Sequence, residues 1–267
     1  MKQHTKTLGQ VFLHDHNIIK KIIAFSNPTP HSPIIEIGCG KGILTTALCK
    51  IGPTHVIEID TRWINHVLNL NLPNCSFIHE DALKINYNQF NKDTPIIANI
   101  PYQITTPLIQ HLATFKEHLG HLTIMIQKEV ADRLLAQPNT KEYGAMTLFC
   151  QYHFNLTKGF LVSKHCFSPK PNIDSYVIKL SKNKGQLPTQ NEPLFFAMTR
   201  TFFWGRRKTM LTCLKNGPYL NIIKPLPTHL IPILKNRAES QSLTDLLNLF
   251  ESLSSYIAFK PNGPLTP

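Results

Sequence analysis

Short apolar runs alternate with longer helix-compatible segments over the first two-thirds of the chain. This alternation predicts a parallel β-sheet joined by right-handed helical crossovers. The runs are almost continuously apolar, which is typical of strands buried on both faces. Strands are predicted at residues 33–38, 56–60, 75–79, 95–99 and 122–127, and the first helix between them at 42–51.

The pattern changes after residue 143. Residues 152–162 and 175–180 read as strands with no clear helix between them, which favours an antiparallel hairpin at the sheet edge. A polar segment with Gly and Pro at 181–193 is interpreted as a linker. Helices are then predicted at 194–214 and 242–253, the second capped by Ser242. We therefore predict an α/β domain over residues 1–182 and a small, basic, all-helical domain over 190–267.

The charge distribution bears on the partner of the protein. The formal net charge is +12, and residues 193–238 contain eight Lys or Arg and no Asp or Glu. Such a bias favours binding to nucleic acid or to an anionic membrane surface. No apolar run approaches the roughly 18 residues of a membrane helix, and we predict no membrane partner. Arg206, Arg207 and Lys208 are the densest cationic cluster and the predicted RNA contacts.

Cysteine and histidine usage points to an intracellular protein without a metal. The six cysteines form no CxxC pair, which disfavours both a zinc site and a disulfide framework. Reduced thiols fit a cytoplasmic location, and the first residues are not followed by the apolar core of a signal peptide. The thirteen histidines show no ligand spacing, so no metal site is predicted.

The most informative segment is Asn99-Ile100-Pro101-Tyr102, at the end of the fourth predicted strand. An ordinary strand-to-loop turn has a similar composition. A base-binding site is the functional interpretation, because the amide oxygen and a nearby backbone carbonyl can accept both hydrogens of an exocyclic amine while the ring stacks on the base. Catalytic roles are assigned on this basis to all four residues.

Acidic residues at successive strand ends indicate a nucleoside cofactor. A glycine turn at 38–42 follows the first predicted strand, with Glu36 beside it where a pyrophosphate would be repelled. Glu58 ends the second strand and is suited to the hydroxyls of a ribose, and Asp81 follows the third and is suited to an adenine amine. The set favours S-adenosylmethionine over a dinucleotide; a set of surface carboxylates is the alternative.

Ordered sequence blocks along nearly the whole chain resemble the ribosomal RNA adenine dimethyltransferase family. They include residues 8–13, 36–40, 58–60, 80–82, 99–102, 105–109, 127–134, 143–144, 167–171 with 174–175, and 206–209. The resemblance implies a Rossmann-like class I methyltransferase with a mostly parallel seven-stranded sheet. It also implies a monomer that transfers two methyls to each of two adjacent adenosines near the 3′ end of 16S rRNA in a 30S precursor.

Site residues follow from the resemblance position by position. The implied cofactor contacts are Val11, Leu13, Gly38, Glu58, Asp81 and Asn99. Phe167 is implied to stack on the target adenine opposite Tyr102; a core aromatic is the alternative for that residue.

The chain departs from the family pattern at three positions. Val11 stands where Asn is usual, and Cys39 stands where the glycine turn usually has Pro. Ile100 is commoner in the macrolide-resistance methyltransferases of 23S rRNA, which are therefore the first alternative. The second is a ribosome assembly factor in which methylation is secondary. The blocks at 143–144, 167–171 and 206–209 favour the small-subunit enzyme.

Overall fold

The computed structural model describes residues 11–183 and 189–260. Its strands are β1 Phe12–Leu13, β2 Ile34–Ile37, β3 Thr54–Glu58, β4 Cys75–His79, β5 Ile96–Asn99, β6 Leu122–Gln127, β7 Phe154–Val162, β8 Phe167–Ser168, β9 Ser175–Lys182, β10 Leu220–Ile222 and β11 Ile257–Phe259. Its α-helices are α1 His16–Ser26, α2 Ile43–Leu48, α3 Thr61–Leu68, α4 Thr105–Ala113, α5 Lys128–Leu134, α6 Ala145–His153, α7 Glu192–Trp204, α8 Met210–Asn216, α9 Ile231–Leu234 and α10 Leu243–Leu253.

A seven-stranded sheet with the order β4-β3-β2-β5-β6-β9-β7 forms the centre of the α/β part. The pairs among β2, β3, β4, β5 and β6 are parallel, and β9 runs antiparallel to β6. The chain moves outward from β2 to β3 and β4, and then returns to place β5 on the other side of β2. The carboxyl ends of β2 and β5 therefore flank a topological switch point, where open α/β sheets bind ligands.

The structure confirms the predicted strands. Their apolar runs are explained by burial, since their side chains fill the core on both faces of the sheet. All four residues of β2 are buried, and Ile34 and Ile35 have no exposed surface. The strands predicted at 152–162 and 175–180 are β7 and β9, which are neighbours at one edge of the sheet. A separate pairing of β1 with β8 places Leu13 opposite Phe167.

Local capping determines where several helices begin. The Asp60 side chain accepts a hydrogen bond from the Arg62 amide at the start of α3. Ser242 accepts from the Asp245 amide, and Asp245 accepts in return from the Ser242 amide, so α10 begins with a full capping box. Such caps stabilise a helix by about 1 kcal/mol. The predicted helix at 242–253 and its cap are confirmed.

Contacts group the described residues into two units. One unit contains the residues up to Ala131 together with Leu156–Lys182, and the other contains Asp132–Asn155 and the residues from Asn183 onward. The segment 132–155, which lies within the predicted domain of residues 1–182, groups by contacts with the second unit. Tyr143, Leu148 and Tyr152 are buried in one hydrophobic cluster with side chains of α7, α8 and α10, which explains the assignment.

Three details of the second unit differ from the sequence-based expectation. The single helix predicted at 194–214 is two helices, α7 and α8, because the chain turns between Gly205 and Lys208. The unit is not all-helical, since β10 and β11 form a two-stranded antiparallel sheet. Each of these strands has three residues, too few for a periodic pattern to predict them. The predicted linker is shorter than expected, since its ends belong to β9 and α7 and residues 184–188 lie outside the described part.

Within the described ranges, no helix combines the length and the apolar character needed to cross a bilayer. All six cysteines are free thiols.

Candidate active site

A cavity of about 320 Å³ opens at the carboxyl ends of β2, β3, β4 and β5 in the first unit. It lies at the switch point of the sheet order, where such folds bind nucleotides. Nine of the predicted site residues line it: Val11, Leu13, Gly38, Glu58, Asp81, Asn99, Ile100, Pro101 and Tyr102. The topology thus brings together residues that are up to 91 positions apart in sequence.

The glycine turn after β2 brings the backbone close to the neighbouring strand end. Gly38 has φ 79°, a left-handed conformation that favours glycine. A Cβ there would lie 3.8 Å from Pro101 Cδ and 3.9 Å from the Asn99 carbonyl oxygen. At Gly40, with φ 49°, a Cβ would approach the Phe12 ring to 3.0 Å. The turn therefore depends on glycine at both positions. Gly38 and Gly40 adopt a left-handed backbone conformation, and Gly40 also leaves room for the Phe12 ring.

Glu58 is held in a fixed orientation at the end of β3. Its Oε2 accepts a hydrogen bond from the Cys39 amide at 3.1 Å, and its Oε1 accepts from the Asp60 amide at 2.9 Å. The Cys39 thiol also donates to Oε2, with Sγ at 3.6 Å. Burial raises the pKa of that thiol, so it stays protonated and remains a donor. Oε1 keeps one acceptor site for a ligand hydroxyl, and on Oε2 the thiol is the weaker of the two donors and the one that a second hydroxyl would replace.

Asp81 is positioned by a turn that follows β4. Its Oδ1 accepts from the Leu83 amide at 2.9 Å, and its own amide donates to Glu80 Oε1 at 2.8 Å. The residue is half-buried in the cavity wall. The side chain is therefore oriented while part of it stays accessible to a ligand amine.

Asn99 and Ile100 offer two acceptors at the end of β5. The Asn99 side chain makes no hydrogen bond with any residue in the described ranges, and it lines the cavity. Ile100 is 1% exposed, and its amide is fixed by the Met125 carbonyl at 3.2 Å. The Ile100 position is thus rigid, while the Asn99 amide is available to a ligand.

The ring of Tyr102 is anchored by a residue to which the sequence analysis gave no role. The Tyr102 hydroxyl and the hydroxyl of Ser175 lie 2.9 Å apart, and Ser175 has no exposed surface. Burial raises the pKa of Tyr102, so the phenol stays neutral and shares a hydrogen bond with Ser175. The Asp174-Ser175 pair is part of the family resemblance, which was the available signal for this anchor.

We expect Tyr102→Phe and Ser175→Ala each to lower kcat about 2- to 10-fold, the value of one net hydrogen bond. The double variant should resemble either single variant, because both remove the same contact. Steady-state kinetics measures the loss of kcat, and circular dichroism checks that each variant is folded. Additive losses would show that Ser175 acts through its own packing and not through Tyr102.

Glu36 is a buried acid beside the cavity. It is 1% exposed, and neither carboxylate oxygen has a hydrogen-bond partner within the described residues. Burial raises its pKa to about 8; the nearby Thr45 hydroxyl opposes this shift, and the negative charge of Glu58 adds to it. A cationic ligand in the cavity would stabilise the ionised form of this carboxyl.

An aromatic wall completes the cavity and was not assigned from the sequence. The rings of Phe12 and Trp63 have centroids 4.6 Å apart, and the Lys41 ammonium lies 5.2 Å from the Phe12 centroid. All three residues line the cavity. Phe12 stands between two residues that were predicted as contacts, but an aromatic at one strand position carries no distinctive pattern.

Phe167 does not line the cavity. Its side chain is 3% exposed and packs in a hydrophobic cluster with Leu13 and Ile18. This arrangement fits the alternative of a core aromatic. Stacking of Phe167 on an adenine stays a prediction, and it requires the side chain to leave this cluster.

The three predicted RNA contacts are exposed residues of the second unit, between α7 and α8. They are not equivalent. The Arg206 guanidinium donates to the carbonyl oxygens of Lys141 and Tyr143, so it ties the turn to the segment that precedes α6. Arg207 makes no hydrogen bond or ion pair within the described ranges, and it is the cation most available to a phosphate.

Comparison with known proteins gives a consistent result. A family model described as ribosomal RNA adenine dimethylase matches residues 1–254. The chain is 43% identical over 227 residues to the ribosomal RNA small subunit methyltransferase A of Clostridium botulinum strain Okra, covering 82% of this chain and 81% of that one. It is 36% identical over 269 residues to the Clostridium perfringens protein of the same name, covering 95% of this chain and 92% of that one.

Two solved structures share the fold. A dimethyladenosine transferase from Plasmodium falciparum aligns with TM-score 0.77 and 25% identity over 91% of this chain and 98% of that one. The 23S rRNA methyltransferase ErmE aligns with TM-score 0.64 and 20% identity over 90% and 99%, which supports the fold alone. On the family match and the identity to its relatives, this chain belongs to the ribosomal RNA adenine dimethylases, which are methyltransferases that use S-adenosylmethionine.

Proposed function

We propose that this protein dimethylates N6 of two adjacent adenosines near the 3′ end of small-subunit rRNA, as a monomer acting on a 30S precursor in the cytoplasm. The observation that carries the proposal is the shared cavity, in which acids suited to a nucleoside and acceptors suited to an adenine amine line one space. The names of the relatives in the two Clostridium species support the small subunit over the large one.

The residues of the cavity fit the methyl donor. Glu58 is oriented to accept from ribose hydroxyls, and Asp81 to accept from the adenine amine of the cofactor. Glu36 presents a buried carboxyl without a partner, which a positively charged ligand would compensate. S-adenosylmethionine, when bound, supplies a methyl group on a cationic sulfur. Because the cofactor half of the site carries acids, it suits this cation better than an anionic dinucleotide.

Asn99 and Ile100 would act on the target base. The amine of adenine is a weak nucleophile, because its lone pair is delocalised into the ring. Accepting both amine hydrogens on the Asn99 side-chain oxygen and the Ile100 carbonyl favours a pyramidal nitrogen and directs the lone pair toward the methyl. The gain is orientation and electrostatic stabilisation. No strong base is needed, because the amine proton becomes acidic as the new C–N bond forms and passes to solvent.

Tyr102 would hold the base taken out of its stack. Its ring lines the cavity, and its hydroxyl is fixed on Ser175, so the aromatic face is set before the base arrives. Stacking on a fixed ring stabilises a flipped base at low entropic cost. A second transfer at the same nitrogen requires the monomethylated amine to rotate between the two acceptors, and the Asn99 amide makes no described protein contact that would block this.

We expect cofactor affinity to rise with pH because of Glu36. The pKa of this carboxyl is about 8, so it is mostly neutral at pH 7, and a bound cation favours its ionisation. The Kd of S-adenosylmethionine should therefore fall between pH 6.5 and pH 8.5, by up to about tenfold per pH unit below the pKa. Isothermal titration calorimetry in buffers of different ionisation enthalpy measures the released proton.

Glu36→Gln is the control for this prediction, since the variant retains any titration that belongs to the ligand itself. A folded-state pKa above the unfolded value of 4.5 means that the free protein loses stability as pH rises from about 4.5 to 8. The Tm of the free wild type should fall over that range relative to Glu36→Gln. If the Kd of S-adenosylmethionine depends on pH in the same way in the two proteins, Glu36 takes no part in cofactor binding.

Transfer of labelled methyl to purified, unmethylated small subunits, large subunits and naked rRNA, followed by nucleoside analysis, tests the proposed function. Dimethyladenosine in the small-subunit sample is the expected result. Label in large-subunit rRNA alone would assign the protein to the macrolide-resistance type. Tight small-subunit binding without label in any sample would favour an assembly factor.

A further inference from the structure

Trp204 is an exposed indole at the end of α7, in the second unit. Its side chain is 47% exposed, while Phe195 and Phe202 of the same helix are buried. Single exposed apolar residues are common on proteins, so this exposure alone indicates nothing. Its surroundings distinguish it from the other exposed apolar residues of the unit, such as Ile223 at 55%.

One lysine lies over this indole, and an arginine stands in the same turn. The Lys208 ammonium lies 4.7 Å from the centroid of the Trp204 ring. Lys208 is brought back toward the ring by a turn in which its amide donates to the Gly205 carbonyl at 2.7 Å. A Cβ at Gly205 would approach Lys208 Cδ to 3.0 Å, so glycine leaves room for the lysine side chain. Arg207, exposed and without a described partner, is in the same turn.

The turn is held rigidly at several points. Arg206 donates to two carbonyl oxygens of the segment before α6, as described above. The Cys213 thiol lies 3.7 Å from the Gly205 carbonyl oxygen, which accepts from it. The Thr209 side chain caps α8 by accepting from the Thr212 amide at 3.3 Å. The indole and the two cations that follow it are therefore presented on a preorganised turn, which lowers the entropic cost of binding.

We infer that Trp204 is a stacking platform for an unpaired rRNA base, with Arg207 and Lys208 on the adjacent phosphates. An accessible indole with cations beside it is the combination that single-stranded RNA recognition uses. Residues 193–238 contain no acid that would repel the backbone. The inference rests on the proposed function, because it takes rRNA as the substrate, and it adds a base contact outside the cavity.

Binding of a short single-stranded oligoribonucleotide and of an RNA duplex of the same length, both at several salt concentrations, tests this inference. Trp204→Ala should weaken single-strand binding about 5- to 100-fold, leave duplex binding unchanged and leave the salt slope unchanged. Arg207→Gln should weaken binding of the single strand and of the duplex, and it should reduce the slope of log affinity against log salt concentration by about 1. Trp204→Tyr should restore most of the single-strand affinity, and Ile223→Ala, the exposed apolar control, should match wild type.

The remaining outcomes overturn the inference. Equal single-strand affinity for Trp204→Ala and wild type would leave the indole as surface packing for Lys208. Weakened binding to small subunits with unchanged binding to both RNAs would assign the indole to a protein partner. Methyl transfer by the wild type to small subunits is measured beside these assays. If that transfer occurs while the Trp204 variants behave as wild type, the proposed function stands and this inference alone fails.

Discussion

Replacing Asn99 with alanine is expected to lower kcat for methyl transfer about 10²- to 10³-fold, the usual cost of removing one preorganised polar contact at a reacting atom. The side chain has no described protein partner, so the change leaves no group unpaired in the free protein. The rRNA affinity should therefore change little, and single-turnover kinetics with bound small subunits at saturating cofactor isolate the chemical step.

Asn88→Ala is the matched control for the Asn99 variant. Asn88 is an exposed asparagine of the same unit, and it does not line the cavity. Wild-type turnover in Asn99→Ala would remove this residue from catalysis. A loss confined to the second transfer, with monomethyladenosine accumulating, would limit its role to rotation of the amine.

Replacing Glu58 with alanine is expected to raise the Kd of S-adenosylhomocysteine by at least about 150-fold. Two ribose hydroxyls would lose a charged acceptor, and hydrogen bonds to charged groups each contribute about 1.5–3 kcal/mol. The amides of Cys39 and Asp60 lose their acceptor as well, so the free energy of unfolding should fall by about 1–3 kcal/mol. Calorimetry and urea unfolding measure the two effects separately.

A cofactor analogue without ribose hydroxyls separates recognition from loss of structure. Wild type should bind this analogue far more weakly than S-adenosylhomocysteine, whereas Glu58→Ala should bind the two about equally. Glu117→Ala, which changes an exposed glutamate of the same unit outside the cavity, should discriminate as wild type does. If Glu58→Ala still binds S-adenosylhomocysteine far more tightly than the analogue, another group holds the ribose.

The central sheet and the position of the site could be predicted because both follow from local pattern. Buried parallel strands leave a nearly continuous apolar run, and a polar residue at the end of such a strand, or within two residues of it, lies at the same edge of the sheet. Glu58, Asp81 and Asn99 are such residues, and each lies in the cavity wall. The Ser242 cap is equally local: a serine directly before a helical apolar pattern predicts it, and the structure adds the reciprocal bond with Asp245 three residues on.

The features that the sequence analysis missed depend on contacts between distant positions. The bond between Tyr102 and Ser175 spans 73 residues, and neither residue shows a local sign of it. The assignment of 132–155 to the second unit depends on side chains such as Tyr143, which donates to the Gln241 carbonyl 98 residues later. The break between α7 and α8 occurs at Gly205, an isolated glycine that a helix tolerates at a cost of about 1 kcal/mol.

Composition also could not show that the three cations of the basic turn, Arg206, Arg207 and Lys208, have different surroundings. Arg206, Arg207 and Lys208 are identical in charge, but Arg206 has backbone carbonyl partners, Lys208 lies over an indole, and Arg207 has no described partner. The number of cations gives the sign of the charge on this surface, whereas the contacts of each side chain decide what it can bind.

The most direct test of this account is a crystal structure of the protein with S-adenosylhomocysteine and an adenosine nucleoside. We expect the cofactor ribose hydroxyls within hydrogen-bond distance of Glu58, its adenine amine on Asp81, and its sulfur facing the target amine held by Asn99 and the Ile100 carbonyl. A cofactor bound outside this cavity, or bound in it with the Glu58 carboxylate turned away from the ribose, would contradict the account.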